Sequence, residues 1–122
     1  MSGSVNLLRS AFYVCPLCET SIHASIGADI TCCGEHLAPL EIQEPVGEHA
    51  IIVERLDGQR YVHMDHPMSK DHSIRWIGLL TDERLEMQQL YPEGDAHAHF
   101  SIRGRGMILA YCHVHGLFGL RD

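Results

Sequence analysis

From His49 onward the chain runs in short alternations of apolar and polar residues, a period of two that predicts half-buried strands. "HAIIVER" and "QRYVHMD" flank Asp57-Gly58, a pair that favours the tight turn of a β-hairpin. "SIRWIGLL" and "ERLEMQQLY" flank Thr81-Asp82. "HAHFSIR" alternates most cleanly, with Ala98, Phe100 and Ile102 on one face and His97, His99, Ser101 and Arg103 on the other. "GMILAYCHV" follows the glycines of "RGRG" and ends the series. The pattern predicts six or seven short strands, the first opened by His49, and their natural arrangement is an antiparallel β-sandwich. No stretch carries a helical period of useful length, and no internal repeat is present.

Residues 1–37 read differently. They hold "CPLC" at Cys15 and Cys18 and "CCGE" at Cys32 and Cys33, in a stretch too short to bury a core of its own. A bound metal is the economical way to fold such a module. Residues 38–47, with Pro39 and Pro45, read as a linker or an extended edge. Residues 48–122 form the β region.

Charge narrows the function. The 122 residues carry a formal net charge of −7, and Lys70 is the one lysine, which argues against nucleic acid as a partner. The longest apolar runs fall far short of a membrane span. "MSGSVNLLRSAFYV" lacks the basic start of a signal peptide, so the expected location is the cytoplasm, where thiols stay reduced. Ten histidines exceed the nine lysines and arginines together, which points toward metal.

The five cysteines divide as four plus one. Cys15, Cys18, Cys32 and Cys33 form a four-thiolate set suited to zinc or a single iron. Adjacent Cys32 and Cys33 replace the usual spaced pair, a short link that strains a tetrahedron. The fifth thiol, Cys112, stands near His115, while His66 and His72 bracket the loop "HPMSKDH" and His49 lies upstream. One cysteine and four histidines from three places could surround one ion. A single thiolate among imidazoles suits a redox metal, and five protein donors leave one octahedral position open. His113 is left out, because neighbours on a strand point to opposite faces. His23, His36, His63, His97 and His99 read as surface or hydrogen-bonded residues.

These motifs, in this order, resemble the desulfoferrodoxin or two-iron superoxide reductase family over nearly the whole chain. "YVCPLC…CCGE" resembles its desulforedoxin-like iron module, "HPMSKDHSIRWIGLL" its H-P-M-x3-H loop and Trp-bearing strand, and "YCHVHGLFG" its Y-C-x2-H-G signature. "YPEGDAHAHF" is similar to the Pro-Gly-Asp turn that precedes an alternating strand in that family. The resemblance implies an immunoglobulin-like sandwich and a homodimer. It implies two irons, one on four cysteines, where zinc is the alternative occupant, and one on equatorial His49, His66, His72 and His115 with axial Cys112. It implies reduction of superoxide to hydrogen peroxide, with a rubredoxin-like protein returning the electron. One departure stands out: Gly47-Glu48-His49 occupies the place of a usual Glu-Lys-His, so a carboxylate replaces a catalytic cation. Glu48 is then expected to repel the anionic substrate. Lys70, between His66 and His72, is the candidate replacement cation. The alternatives are a non-enzymatic iron-binding or electron-transfer protein of the same fold and a redox or metal sensor.

Overall fold

The computed structural model describes residues 10–122; the N-terminal stretch 1–9, which includes most of the segment weighed as a leader, lies outside the described residues. The fold is all-β: a small cysteine-bearing module followed by an immunoglobulin-like sandwich. In the module, β1 (Ser10–Val14) pairs with β2 (Ser21–Ser25), and β3 (Ile30–Cys32) pairs with β4 (Glu35–Leu37), both antiparallel. In the sandwich, one sheet has three strands in the order β10 (His97–Ser101), β7 (Gln59–His63), β6 (Ile52–Leu56). The other has five: β5 (Ile42–Gln43), β12 (Gly116–Arg121), β11 (Gly106–Cys112), β8 (Ile74–Thr81), β9 (Leu85–Gln89). No helix among the described residues is long and apolar enough to cross a membrane.

The β6–β7 hairpin turns where expected. Asp57 and Gly58 both take positive φ, 50° and 74°, as a two-residue turn with the strands' own twist requires. Other expectations need correction. His49 does not open a strand; it closes a short 3-10 turn, Gly47–His49, and the first sandwich strand starts at Ile52. Ile102 lies beyond the end of β10 and is 36% exposed, whereas Ala98 and Phe100 are buried as their face demands. "GMILAYCHV" is not the last strand, since β12 follows it and returns along β11. The segment 38–47 takes the extended-edge form rather than that of a plain linker: β5 adds to β12 in parallel, so the sheet is not purely antiparallel.

Two apolar layers hold the sandwich. Val62, Ala98 and Phe100 of one sheet meet Ile77, Leu79, Ile108 and Ala110 of the other. On the outer face of the five-stranded sheet, Trp76, Leu80, Leu109 and Leu117 are roofed by Phe12 of β1. The module therefore packs onto the sandwich rather than hanging from it, and the Leu40 N–H donates to the Phe12 carbonyl at 2.8 Å.

β8 serves both layers by alternation, Ile77 and Leu79 inward and Trp76 and Leu80 outward, and a bulge at Arg75 turns Ile74 inward too. Tyr111 opposes Trp76 and Cys112 opposes Ile74, so Arg75 has no partner across the ladder. Ile74 faces the inner layer and Trp76 the outer one although they are two residues apart.

Arg60 is a charged side chain at 1% exposure. It donates to Asp122 Oδ2 and to the carbonyls of Ser101, Arg103 and Gly104, tying the β10–β11 connection to the chain end. Removing a buried charge partner leaves several acceptors unpaired. Arg60→Ala is expected to lower unfolding stability by about 3–5 kcal/mol, read by chemical denaturation, while Arg55→Ala, half-exposed on the same carboxylate, changes it little.

Candidate functional site

The four thiols of the module converge as expected: the Sγ atoms of Cys15, Cys18, Cys32 and Cys33 all lie within 4.8 Å of one another. Cys18 and Cys32 are 3.6 Å apart, Cys32 and Cys33 4.0 Å. A metal at about 2.3 Å from each sulfur in a tetrahedron would set sulfurs about 3.8 Å apart, close to the two spacings above, so the donor set fits one ion. The strain expected of adjacent cysteines is absorbed by the backbone, since Cys33 itself sits in the left-handed region at φ 53°. Hydrogen bonds with Thr20 lead in lowering the Cys18 pKa to about 6. Its partner Cys32 is pushed up to about 12, chiefly by the hydrogen bonds with Cys18 and Cys15.

The second site is built from three chain segments. Ring centroids of His49, His66, His72 and His115 follow one another around a square at 4.8, 4.6, 4.9 and 4.9 Å, and the His49–His72 diagonal is 6.4 Å. Cys112, fully buried, lies to one side, its Sγ 3.7 Å from His115 Nδ1. His49 Nε2, His66 Nε2 and His72 Nε2 are buried with no hydrogen-bond partner. Three orphaned ring nitrogens aimed into one place are costly unless an ion takes their lone pairs. His66 donates Nδ1–H to the Pro67 carbonyl at 2.6 Å, which fixes the tautomer with Nε2 free. Burial holds His49 and His66 below the usual histidine range, keeping them neutral as ligands must be.

Each ligand has a positioning device that the sequence did not reveal. Phe118 of β12 stacks on His49 at 4.1 Å and 9°. Ser69 Oγ accepts the His72 N–H at 3.1 Å. Gln43 Nε2 donates to the His115 carbonyl at 2.7 Å, so β5 steadies the ligand loop. Gly116 follows at φ 104°, where a Cβ would stand 2.7 Å from that same Gln43 nitrogen. His113 points elsewhere, as expected: its Nδ1 lies 3.3 Å from the Ser73 carbonyl, locking the end of β11 to the end of the His72 loop.

Glu48 and Lys70 part company. The Glu48 carboxylate shares a 4.8 Å cluster with the ring nitrogens of His49, His66 and His72, on the exposed side of the site. The expected repelling charge thus lies beside the site, with a carboxylate oxygen close to the same three ring nitrogens. Lys70 is exposed on the loop tip and makes no ion pair among the described residues. The remaining histidines have ordinary partners: His36 pairs with Asp29 at 3.1 Å, His63 with Glu54 at 2.7 Å, and His23 bonds Ser10. His97 and His99 flank Tyr61 on the outer face of the three-stranded sheet.

Fold and donor sets together define a non-haem iron protein with one four-thiolate and one histidine–cysteine centre. The family model described as Desulfoferrodoxin matches residues 45–121, and the chain belongs to the desulfoferrodoxin family. A desulfoferrodoxin homolog of Archaeoglobus fulgidus is 31% identical over 87% of this chain and 92% of its own length. The desulfoferrodoxin of Desulfarculus baarsii is 27% identical over 88% and 93%. In structure the chain is similar to the superoxide reductase of Treponema pallidum, with a TM-score of 0.79 at 20% identity, covering 91% of this chain and 97% of that one. The one-iron superoxide reductase of Giardia intestinalis matches 59% of this chain and 93% of its own, with a TM-score of 0.51 at 21% identity.

Protein produced with iron in the medium is expected to carry two irons per chain by metal analysis. Cys112→Ser should abolish the sulfur-to-iron absorption of the second site and leave that of the first, because serine keeps the size but loses the soft thiolate. His49→Ala should lose the second iron on dialysis, whereas His113→Ala should retain it.

Proposed function

We propose that the chain is a superoxide reductase, converting superoxide, one electron and two protons into hydrogen peroxide at the histidine–cysteine site. The observation that carries this is the ring of four imidazoles beside the buried Cys112 thiol, with three Nε2 atoms left without partners. Ferrous iron, when bound there, supplies the electron. His49, His66 and His72 through Nε2 and His115 through Nδ1 would hold it, with Cys112 behind. Burial keeps water from the Cys112 sulfur, and as a thiolate it would supply electron density to an ion held there. The neutral imidazoles leave the site at a local charge of about +1, enough to draw a small anion at short range despite the net charge of the chain.

Glu48 changes that balance. With its carboxylate at the exposed face the local charge falls to about zero, and the substrate must displace or pass it. A second reading, an electron carrier that binds no superoxide, draws on this one feature. The proposal further includes three regions: a four-cysteine module at 1–37, a connecting edge at 38–47 and the reductase sandwich at 48–122. The module's donors fall within 15–33 and the second site's within 48–115, which supports the division. Re-reduction by a rubredoxin-like donor, a homodimeric state and a cytoplasmic location complete the reading, supported by the family resemblance.

Pulse radiolysis tests both readings. The parent protein is expected to oxidise its second site with superoxide in a second-order step that yields peroxide; no reaction leaves the carrier reading. Glu48→Lys should raise the association rate on the order of tenfold at low salt, since a local anion becomes a cation, and added salt should shrink the gain. Lys70→Ala should slow association less than Glu48→Lys speeds it, because Lys70 is solvated at the loop tip.

A further inference from the structure

We propose that Ser21, Trp76 and Tyr111 form a path by which the four-thiolate site passes an electron to the histidine–cysteine site. The proposal rests on the redox reading above and names the residues that connect the two centres within one chain.

The contacts are continuous. Cys18 Sγ lies 3.0 Å from Thr20 Oγ1, and Ser21 is the next residue, at the start of β2. The Trp76 indole N–H donates to Ser21 Oγ at 2.9 Å, crossing from sandwich to module. The indole stacks on Tyr111 with ring centroids 6.0 Å apart and planes 19° from parallel. Tyr111 is covalently joined to Cys112, whose thiol is the soft donor of the second site. A cleft of about 560 Å³ runs along this line and is lined by Cys18, Thr20, Ser21, Trp76 and Tyr111. Cys18 is exposed, which gives an external donor access to the first site.

Packing alone does not account for the arrangement. An aromatic residue roofed by Phe12 would suffice to bury the outer face of the sheet, and it would not require an indole hydrogen bond to the cysteine module. Trp76 faces the module by the alternation that sends Ile77 and Leu79 inward, and the bulge at Arg75 turns Ile74 inward as well, opposite Cys112. Alternation and bulge together bring the ligand strand and the bridging ring into register with both sites.

The step is balanced simply. With iron held at both sites, the chain's residues would carry one electron from the reduced four-thiolate site to the oxidised histidine–cysteine site, so that one is oxidised as the other is reduced; no bond would break and no proton would move. The first site is refilled by a one-electron protein donor, or by dithionite in the test.

The test uses the full chain loaded with iron at both sites and mixed rapidly with substoichiometric dithionite. Redistribution between the two visible absorption bands is followed without superoxide, so failure of the superoxide reading and failure of the path are separate results. In the parent the redistribution should be first order and independent of protein concentration. Ser21→Ala and Trp76→Phe should slow it several-fold with both bands unchanged, and Ser21→Thr, which keeps the hydroxyl, should restore it. Tyr111→Phe should match the parent, because the ring and not the hydroxyl is the bridge, and Tyr111→Leu should be slow. Equal rates in the parent, Ser21→Ala and Trp76→Phe, or a rate proportional to protein concentration, would overturn the proposal.

Discussion

The antiparallel pairing of β8 with β11 is the constraint on which both centres depend. Its register places Cys112 opposite Ile74, two residues after His72, and so brings the thiol to the loop that carries two of the four imidazoles. A slip of one residue would turn Cys112 to the outer face, under the module, and empty the inner site of its soft donor. The same pairing, offset by the bulge at Arg75, sets Trp76 beside Tyr111 on the outer face. β12 and β5 extend this frame outward, delivering Phe118 to His49 and Gln43 to the His115 loop. The ligands come from turns and strand ends, but the strands fix where those ends meet.

That frame holds an arrangement which is unfavourable without an ion. Three buried ring nitrogens without partners cost desolvation that no hydrogen bond within the protein returns. Metal affinity and folding are therefore coupled at this end of the sandwich. The module shows the same logic on a smaller scale. Among the described residues its buried apolar centre is Tyr13, Cys15 and Leu37, flanked by partly buried Ala11, Ile22 and Ile30, so the four thiolates and the Phe12 contact with the sandwich add to a small core.

Much of this was legible in the chain. Alternation in "HAHFSIR" and the Asp57-Gly58 pair predicted a strand and a hairpin turn because both are local properties. The four module cysteines stood out because thiols in spaced pairs have few other uses, whereas His49 stood out through the family resemblance and not through its spacing. What escaped depends on distant partners. β12 is broken by Gly116 and Gly119, so it shows no alternation, and it becomes a strand only by pairing with β11. His49 looked like the start of a strand because apolar residues follow it, but Val46 and Gly47 carbonyls bind the backbone into a turn there. The change of face between Ile74 and Trp76 is invisible in "SIRWIGLL", because the strand is buried on both faces and its apolar residues show no period of two. Which nitrogen of each histidine is free, and that Glu48 joins the ring of imidazoles, follow from three-dimensional contacts alone.

The central claim is the donor set of the second site, and diffraction at the iron absorption edge on crystals of the iron-loaded protein measures it directly. The account predicts two anomalous peaks per chain. One should lie among the four module sulfurs, and the other should be bonded by Nε2 of His49, His66 and His72, Nδ1 of His115 and Sγ of Cys112. A second peak that lacks the Cys112 bond, or that draws in His113 in place of one of the four imidazoles, would contradict it.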